Sequence, residues 1–198
     1  MQPRRLFVAA HLPEAIASVL EQRQQMLRQH LGELQSALCW TPKAQYHLTL
    51  AFLGSVGSSA IPTVVDAMET HCQKIPPQQL TLGKCGFFAR RGVPTVLWSE
   101  VHASPALTKW SMQLRQIMQP LCPEMDGKEF HPHLTLARIK RGRSIERATL
   151  IDLFAQTALC IGAPIWECDE VSLVHSEHCC HGAVHSLVHT SRLGEARS

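Results

Sequence analysis

Two histidines, His47 and His133, each stand two residues before a threonine, Thr49 and Thr135. Two imidazoles and two hydroxyls can move protons and hold an oxyanion. The full repeated unit is His-Leu-Thr-Leu-Ala, at His47-Leu48-Thr49-Leu50-Ala51 and again at His133-Leu134-Thr135-Leu136-Ala137. A five-letter repeat in a chain of this length arises by chance on the order of a few times in a hundred sequences, so an internal duplication is the better reading. Each copy alternates polar and apolar residues, which puts His and Thr on one face of a strand and both Leu on the other. A lone strand histidine is ordinarily a partly buried residue satisfied by a backbone carbonyl. Recurrence of His-x-Thr in both halves points instead to one shared cleft. Across a phosphorus centre, one neutral ring would take a proton from the attacking nucleophile. The other, protonated, would donate to the leaving oxygen. The threonine hydroxyls would bind the non-bridging oxygens.

Those strands need a scaffold. Residues 4–10 read as a buried strand, and residues 13–31 as an amphipathic helix with Ile16, Val19, Leu20, Arg23, Leu27 and Leu31 along one side. The first repeat strand covers residues 46–53 and ends at Gly54, and a helix follows over 60–73. Strands are expected over 79–87 and 94–102, with Ala89 to Pro94 as the turn. Ser104-Pro105 is an N-cap followed by proline at the first helical position, opening a helix through Leu107, Trp110, Leu114 and Met118. The second repeat strand lies at 133–139, then a basic loop, a helix over 145–157 and a terminal hairpin from Trp166 to Ser176 and Ala183 to Thr190. With no low-complexity linker, residues 1–198 are expected to form one domain of two packed lobes sharing one sheet system.

Composition excludes several classes. At 45% hydrophobic residues the chain is globular and not disordered, and a net charge of +3 is well short of a strongly basic nucleic-acid domain. The apolar run Leu6 to Ala10 is too short for a leader or a span, so a cytoplasmic protein without membrane association is expected. The 8 cysteines form no Cys-x-x-Cys pair and are read as reduced thiols, several of them small core residues.

The paired His-x-Thr-x motifs resemble the signature of the two-histidine (2H) phosphoesterase superfamily. Tyr46 to Gly54, Phe130 to Ile139 and Arg5 to Ala9 with Leu12-Pro13 are similar to bacterial RNA 2′,3′-cyclic phosphodiesterases of the LigT/ThpR type. Gly86-Phe87-Phe88 with Pro94 to Trp98 looks like that family's central hairpin. The resemblance runs from residue 4 to the terminal hairpin. It implies a bilobal, pseudo-symmetric α+β fold of mostly antiparallel sheets lining a central cleft, with helices outside. It also implies hydrolysis of a ribose 2′,3′-cyclic phosphate to a 2′-phosphomonoester without metal or cofactor, and in some members 2′-5′ joining of RNA ends. On the same resemblance His47 is the proton donor and His133 the acceptor, although pseudo-symmetry makes the two interchangeable on sequence grounds. Thr49 and Thr135 bind phosphate. The implied partner is an RNA ending in a 2′,3′-cyclic phosphate, tRNA-like or another single-stranded end, met by a monomer.

Arg138 falls at an odd offset from His133, so it points away from the site unless a bulge turns it inward; the resemblance favours phosphate binding and solvation is the alternative. Phe52 and Phe130 are candidates for stacking on a base, with core packing as the alternative. His131-Pro132-His133 and the His/Cys cluster from His175 to His189 invite a metal reading, but no spacing completes a known zinc site. The chain departs from the family where an acidic residue commonly precedes Leu-Pro, having His11, and where the last hairpin commonly has a tyrosine, having His185. Both substitutions are expected away from the repeated motifs, altering the rim of the cleft. Two rival functions remain: a phosphodiesterase for a small cyclic nucleotide derivative, and an RNA-end binding or joining factor in which hydrolysis is incidental.

Overall fold

Nine strands pair antiparallel into a single sheet among the residues that the computed structural model describes, which are 3–125, 130–157, 163–179 and 182–194. They are β1 (Arg4–His11), β2 (Leu38–Trp40), β3 (His47–Val56), β4 (Gln78–Arg90), β5 (Val93–His102), β6 (His133–Ile139), β7 (Ile165–Cys168), β8 (Glu170–Cys179) and β9 (Gly182–Arg192). The helices are α1 (Glu14–Leu31), α2 (Ile61–Cys72), α3 (Pro105–Met118) and α4 (Arg147–Thr157). Sheet order runs β7-β4-β5-β6-β3-β1-β8-β9, and off this path β2 pairs with β6 at Ala137 to Ile139, beyond the one pair that β6 makes with β3. The two repeat strands therefore meet at the centre, and each is followed outward by three further strands.

The halves are not built from separate stretches of chain. β3 and β1 are flanked by β8 and β9 from the C-terminal end, while β6 is flanked by β5, β4 and β7. Residues 166–176 were expected as one strand. The chain instead breaks at Asp169, whose carbonyl accepts from the Leu193 amide at 2.7 Å, and β7 and β8 join opposite halves of the sheet order. β2 is also absent from the sequence reading, since three residues carry no periodicity.

One face of the sheet holds the helices. Leu6, Val8 and Ala10 of β1 and all four repeat leucines are buried there against Leu20 and Leu27 of α1, Val64 and Met68 of α2, and Leu107 and Leu114 of α3. The opposite face of β1 places Phe7 and Ala9 with Val174 and Phe52 in a second, smaller apolar cluster, beside the cleft. Ser104 caps α3 as its sequence requires, accepting from the Leu107 amide at 3.0 Å. Arg23, the charged member of the α1 stripe, is buried and donates to the Gly83 carbonyl at 2.7 Å and to the Ser99 hydroxyl. It thereby ties α1 to the irregular stretch where β4 and β5 slip register between Leu82 and Cys85. Of the cysteines, Cys72, Cys122 and Cys168 are buried, Cys85 is half-buried and Cys39 exposed, all as free thiols. No described helix is long and apolar enough to cross a membrane.

Candidate active site

β3 and β6 touch at one registered pair, Leu48 opposite Leu134. Antiparallel register about that pair sets His47 across from Thr135 and Thr49 across from His133. All four side chains project from the same face and line one cleft of about 460 Å³. Strand periodicity thus converts the repeat into a quadrilateral in which each histidine faces the other copy's threonine.

The two imidazoles are held alike. His47 Nδ1 lies 2.7 Å from the Gln45 carbonyl, and His133 Nδ1 lies 2.6 Å from the His131 carbonyl, in each case two residues back. A carbonyl only accepts, so Nδ1 carries the hydrogen and Nε2 is left as the nitrogen that gives or takes a proton. Sequence reasoning treats the backbone-satisfied histidine and the histidine that faces a shared cleft as alternatives; each ring is both. Each also leans on aromatic neighbours: His47 lies 4.9 Å from Phe7 and 5.2 Å from His185, and His133 lies 4.8 Å from Phe88 in an edge-on contact.

Burial pushes the His47 imidazolium down to about 4, helped by repulsion from His185, His11 and His133, while the bond to the Gln45 carbonyl works the other way. His133 is also lowered, chiefly by burial and then by the charges of His131 and Arg138. No carboxylate is among the described residues lining the cleft. Both rings are therefore neutral near pH 7, and an anion held beside them would favour the imidazolium form of one.

The duplication extends to a backbone irregularity. On β3 the register with β1 slips so that Val8 faces Ala51 while Ala9 faces Thr49, leaving Leu50 as an extra residue. On β6 the register with β5 slips so that Leu97 faces Ala137 while Trp98 faces Thr135, leaving Leu136 as an extra residue. Leu50 and Leu136 are the same position of the repeat. Each bulge frees a carbonyl inside the core, and each is met by a buried polar side chain from a helix. Ser111 of α3 donates to the Leu50 carbonyl at 2.6 Å. Gln24 of α1 donates to the Leu136 carbonyl at 2.8 Å, which also accepts from the Thr41 amide at 2.9 Å.

Past the bulge, odd offsets face the cleft. Phe52 and Arg138, equivalent positions of the two copies, both line it. This is the inward turn that the odd spacing of Arg138 demanded. The copies diverge here: one side offers an aromatic ring with the Arg5 guanidinium 4.8 Å above it, the other a guanidinium. Phe130 is a correction, since it packs against the main core and does not line the cleft.

His11 and His185 also require correction. Both were expected away from the motifs, yet His11 is the register partner of His47 and His185 lines the cleft beside it. Their separation in sequence hid a contact made by β1 and β9. Phe7, Phe88 and Gln45 were likewise missed, because nothing in their local spacing marks them. The His131 ring packs against Phe88 and Trp98, at 5.3 and 5.2 Å, and its carbonyl serves His133. No group of three or more His, Cys, Asp or Glu among the described residues is placed to hold a metal ion. Cys180 and His181 of the C-terminal cluster lie outside the described residues.

The chain belongs to the 2′-5′ RNA ligase superfamily, whose family model matches residues 12–178. Its fold is the α+β fold of E. coli LigT. Among curated proteins it is similar to the RNA 2′,3′-cyclic phosphodiesterase of Geobacillus stearothermophilus, at 30% identity over 61% of this chain and 39% of that protein. The protein of the same name from Thermus thermophilus is 31% identical over 69% of each. Matched regions thus span from 39% to 69% of these relatives' length. Crystal structures of TT0787 from Thermus thermophilus and of E. coli LigT share the fold over 98% of this chain and 100% of theirs. Their TM-scores are 0.78 and 0.71, each at 23% identity.

Proposed function

We propose that this protein is an RNA 2′,3′-cyclic phosphodiesterase that opens the terminal ribose cyclic phosphate to a 2′-phosphomonoester. The observation that carries the reading is the pair of imidazoles, each with Nδ1 fixed on a carbonyl, presenting Nε2 to one carboxylate-free cleft beside two threonines. Curated relatives of that name support it.

In the reaction, Nε2 of neutral His133 takes a proton from water as its oxygen attacks phosphorus. The bond from phosphorus to the 3′ oxygen breaks, and that oxygen leaves with the proton from Nε2 of His47. Thr49 and Thr135 donate hydroxyl hydrogens to the non-bridging oxygens, and Arg138 neutralises charge that builds on them. Phe52 offers its ring to the terminal base. With the 5′-hydroxyl of a second RNA in place of water, the same proton transfers leave a 2′-5′ phosphodiester, the joining reaction in the superfamily's name.

The test is incubation in chelator with an oligoribonucleotide ending in a 2′,3′-cyclic phosphate, followed by analysis of the end formed. A 2′-phosphate is expected. His47→Gln and His133→Gln should each remove turnover while melting with the wild type. A 3′-phosphate, activity only after metal is added, or near-normal turnover in either variant refutes the mechanism.

A further inference from the structure

The cleft contains a third imidazole for which the two-histidine reaction has no task. His185 of β9 lines it, edge-on to His47 at 5.2 Å and to Phe7 at 5.1 Å. Neither of its ring nitrogens has a hydrogen-bond partner among the described residues, whereas His47 and His133 each commit Nδ1 to a carbonyl. The wall that holds it is fixed: Gln45 Nε2 donates to the Ala183 carbonyl at 2.7 Å, and Ser176 of β8 is the register partner of His185.

Among the described residues lining the cleft, the charged groups are of one sign. β3 contributes His47, and β1 contributes His11 and Arg5. β8 contributes Ser176, while Glu177 alternates to the other face, 3.6 Å from His175. An imidazolium at His185 therefore has no carboxylate among the described residues of the cleft to neutralise it, and a bound anion is the counter-charge that fits.

We propose that His185 is an anion-binding residue of the cleft that takes up a proton as the terminal phosphate enters and pairs with it. The proposal rests on reading the site as one for a phosphate ester. Burial and His11 hold the free imidazole below its ordinary value, so near neutrality the proton arrives with the ligand. The cyclic ester carries one negative charge at any working pH, whereas a phosphomonoester gains a second with a pKa of about 6. A His185 cation consequently favours the opened product over the substrate, and makes product release faster as pH rises.

Sulfate is a suitable probe because its charge is constant across the range. Its binding would be measured calorimetrically at about pH 6 and about pH 8, in buffers of different ionisation enthalpy, for the wild type and His185→Gln. Expected at the lower pH are proton uptake by the wild type, less uptake by the variant and about tenfold weaker sulfate binding by it, the gap closing at the higher pH. As a check that needs no variant, the His185 ring resonance of the wild type should titrate at higher pH with saturating sulfate than without. Equal affinity and proton uptake in the two proteins, or a His185 titration that sulfate does not move, overturns the proposal and leaves the site's reading standing. A wild type that binds no sulfate at either pH overturns both.

Discussion

Ser111→Ala should damage the protein in two measurable ways, although Ser111 lies on a helix and touches no substrate. The Leu50 carbonyl is freed by the bulge on β3, and the Ser111 hydroxyl, 2.6 Å away and fully buried, is the donor that meets it. Alanine leaves that carbonyl in the core without this partner, which costs about 1–3 kcal/mol. For a chain of this length each kcal/mol moves the melting temperature by about 2–4 °C, so a fall of roughly 2–12 °C is expected. The second effect is geometric. A bulge that relaxes toward regular pairing turns the residues beyond it to the opposite face. Phe52 would leave the cleft while His47 and Thr49, on the near side of the bulge, would stay. KM for an oligonucleotide should therefore rise more than kcat falls. Urea unfolding followed by circular dichroism, with steady-state kinetics on the same preparation, reads both. Stability within about 0.5 kcal/mol of the wild type, the range of an ordinary surface substitution, would refute the argument that the bulge depends on this hydroxyl.

Arg138→Ala should raise KM by about tenfold or more with a smaller effect on kcat, since it removes the charge-assisted contact to phosphate proposed for this residue; an unchanged KM would return Arg138 to solvent. Because both histidines of the free protein titrate below their ordinary range, the acid limb of kcat/KM should lie below pH 6.5. The limb of kcat should lie higher, because a phosphate bound as proposed would stabilise the imidazolium. Stability should fall as pH drops from about 6.5 toward about 4, where the unfolded chain binds a proton that folded His47 refuses, by up to about 3 kcal/mol. Urea midpoints across that range check this, and His47→Gln should lose less. Gly86→Ala should destabilise strongly, since its Cβ would lie 2.3 Å from the Trp98 ring that supports His131; a melting curve matching the wild type would exclude that clash.

Much of the site was legible because a strand has a period of two and the motif is written twice. His47, Thr49, His133 and Thr135 follow from that period alone. The helices were legible from apolar spacing and, for α3, from Ser104-Pro105. Arg138 shows where periodicity stops: its odd offset required a bulge, and a bulge leaves no mark in Leu136 itself. Phe52 obeys the same rule. His11, His185 and Phe88 reach the histidines through pairings between strands distant in sequence, which no local pattern encodes. Phe130 misled for the converse reason, since adjacency to a motif in sequence is not adjacency in a cleft. The break at Asp169 was hidden because residues on both sides alternate like one strand, and only long-range pairing separates β7 from β8.

The interleaving of the two halves bears on how the chain reaches this structure. Leu6 of β1 pairs with Gly54 on one side and with His175 on the other. Between those partners the chain must build the whole opposite half, residues 78–168. Contacts of such sequence separation slow folding, because closure entropy is lost before pairing rewards it. On the ribosome, β1 would emerge well before β8 and wait with one edge open until β8 arrives. A chain halted before Glu170 would not be half of this fold; it would be a sheet with an unprotected edge, the template on which other chains add.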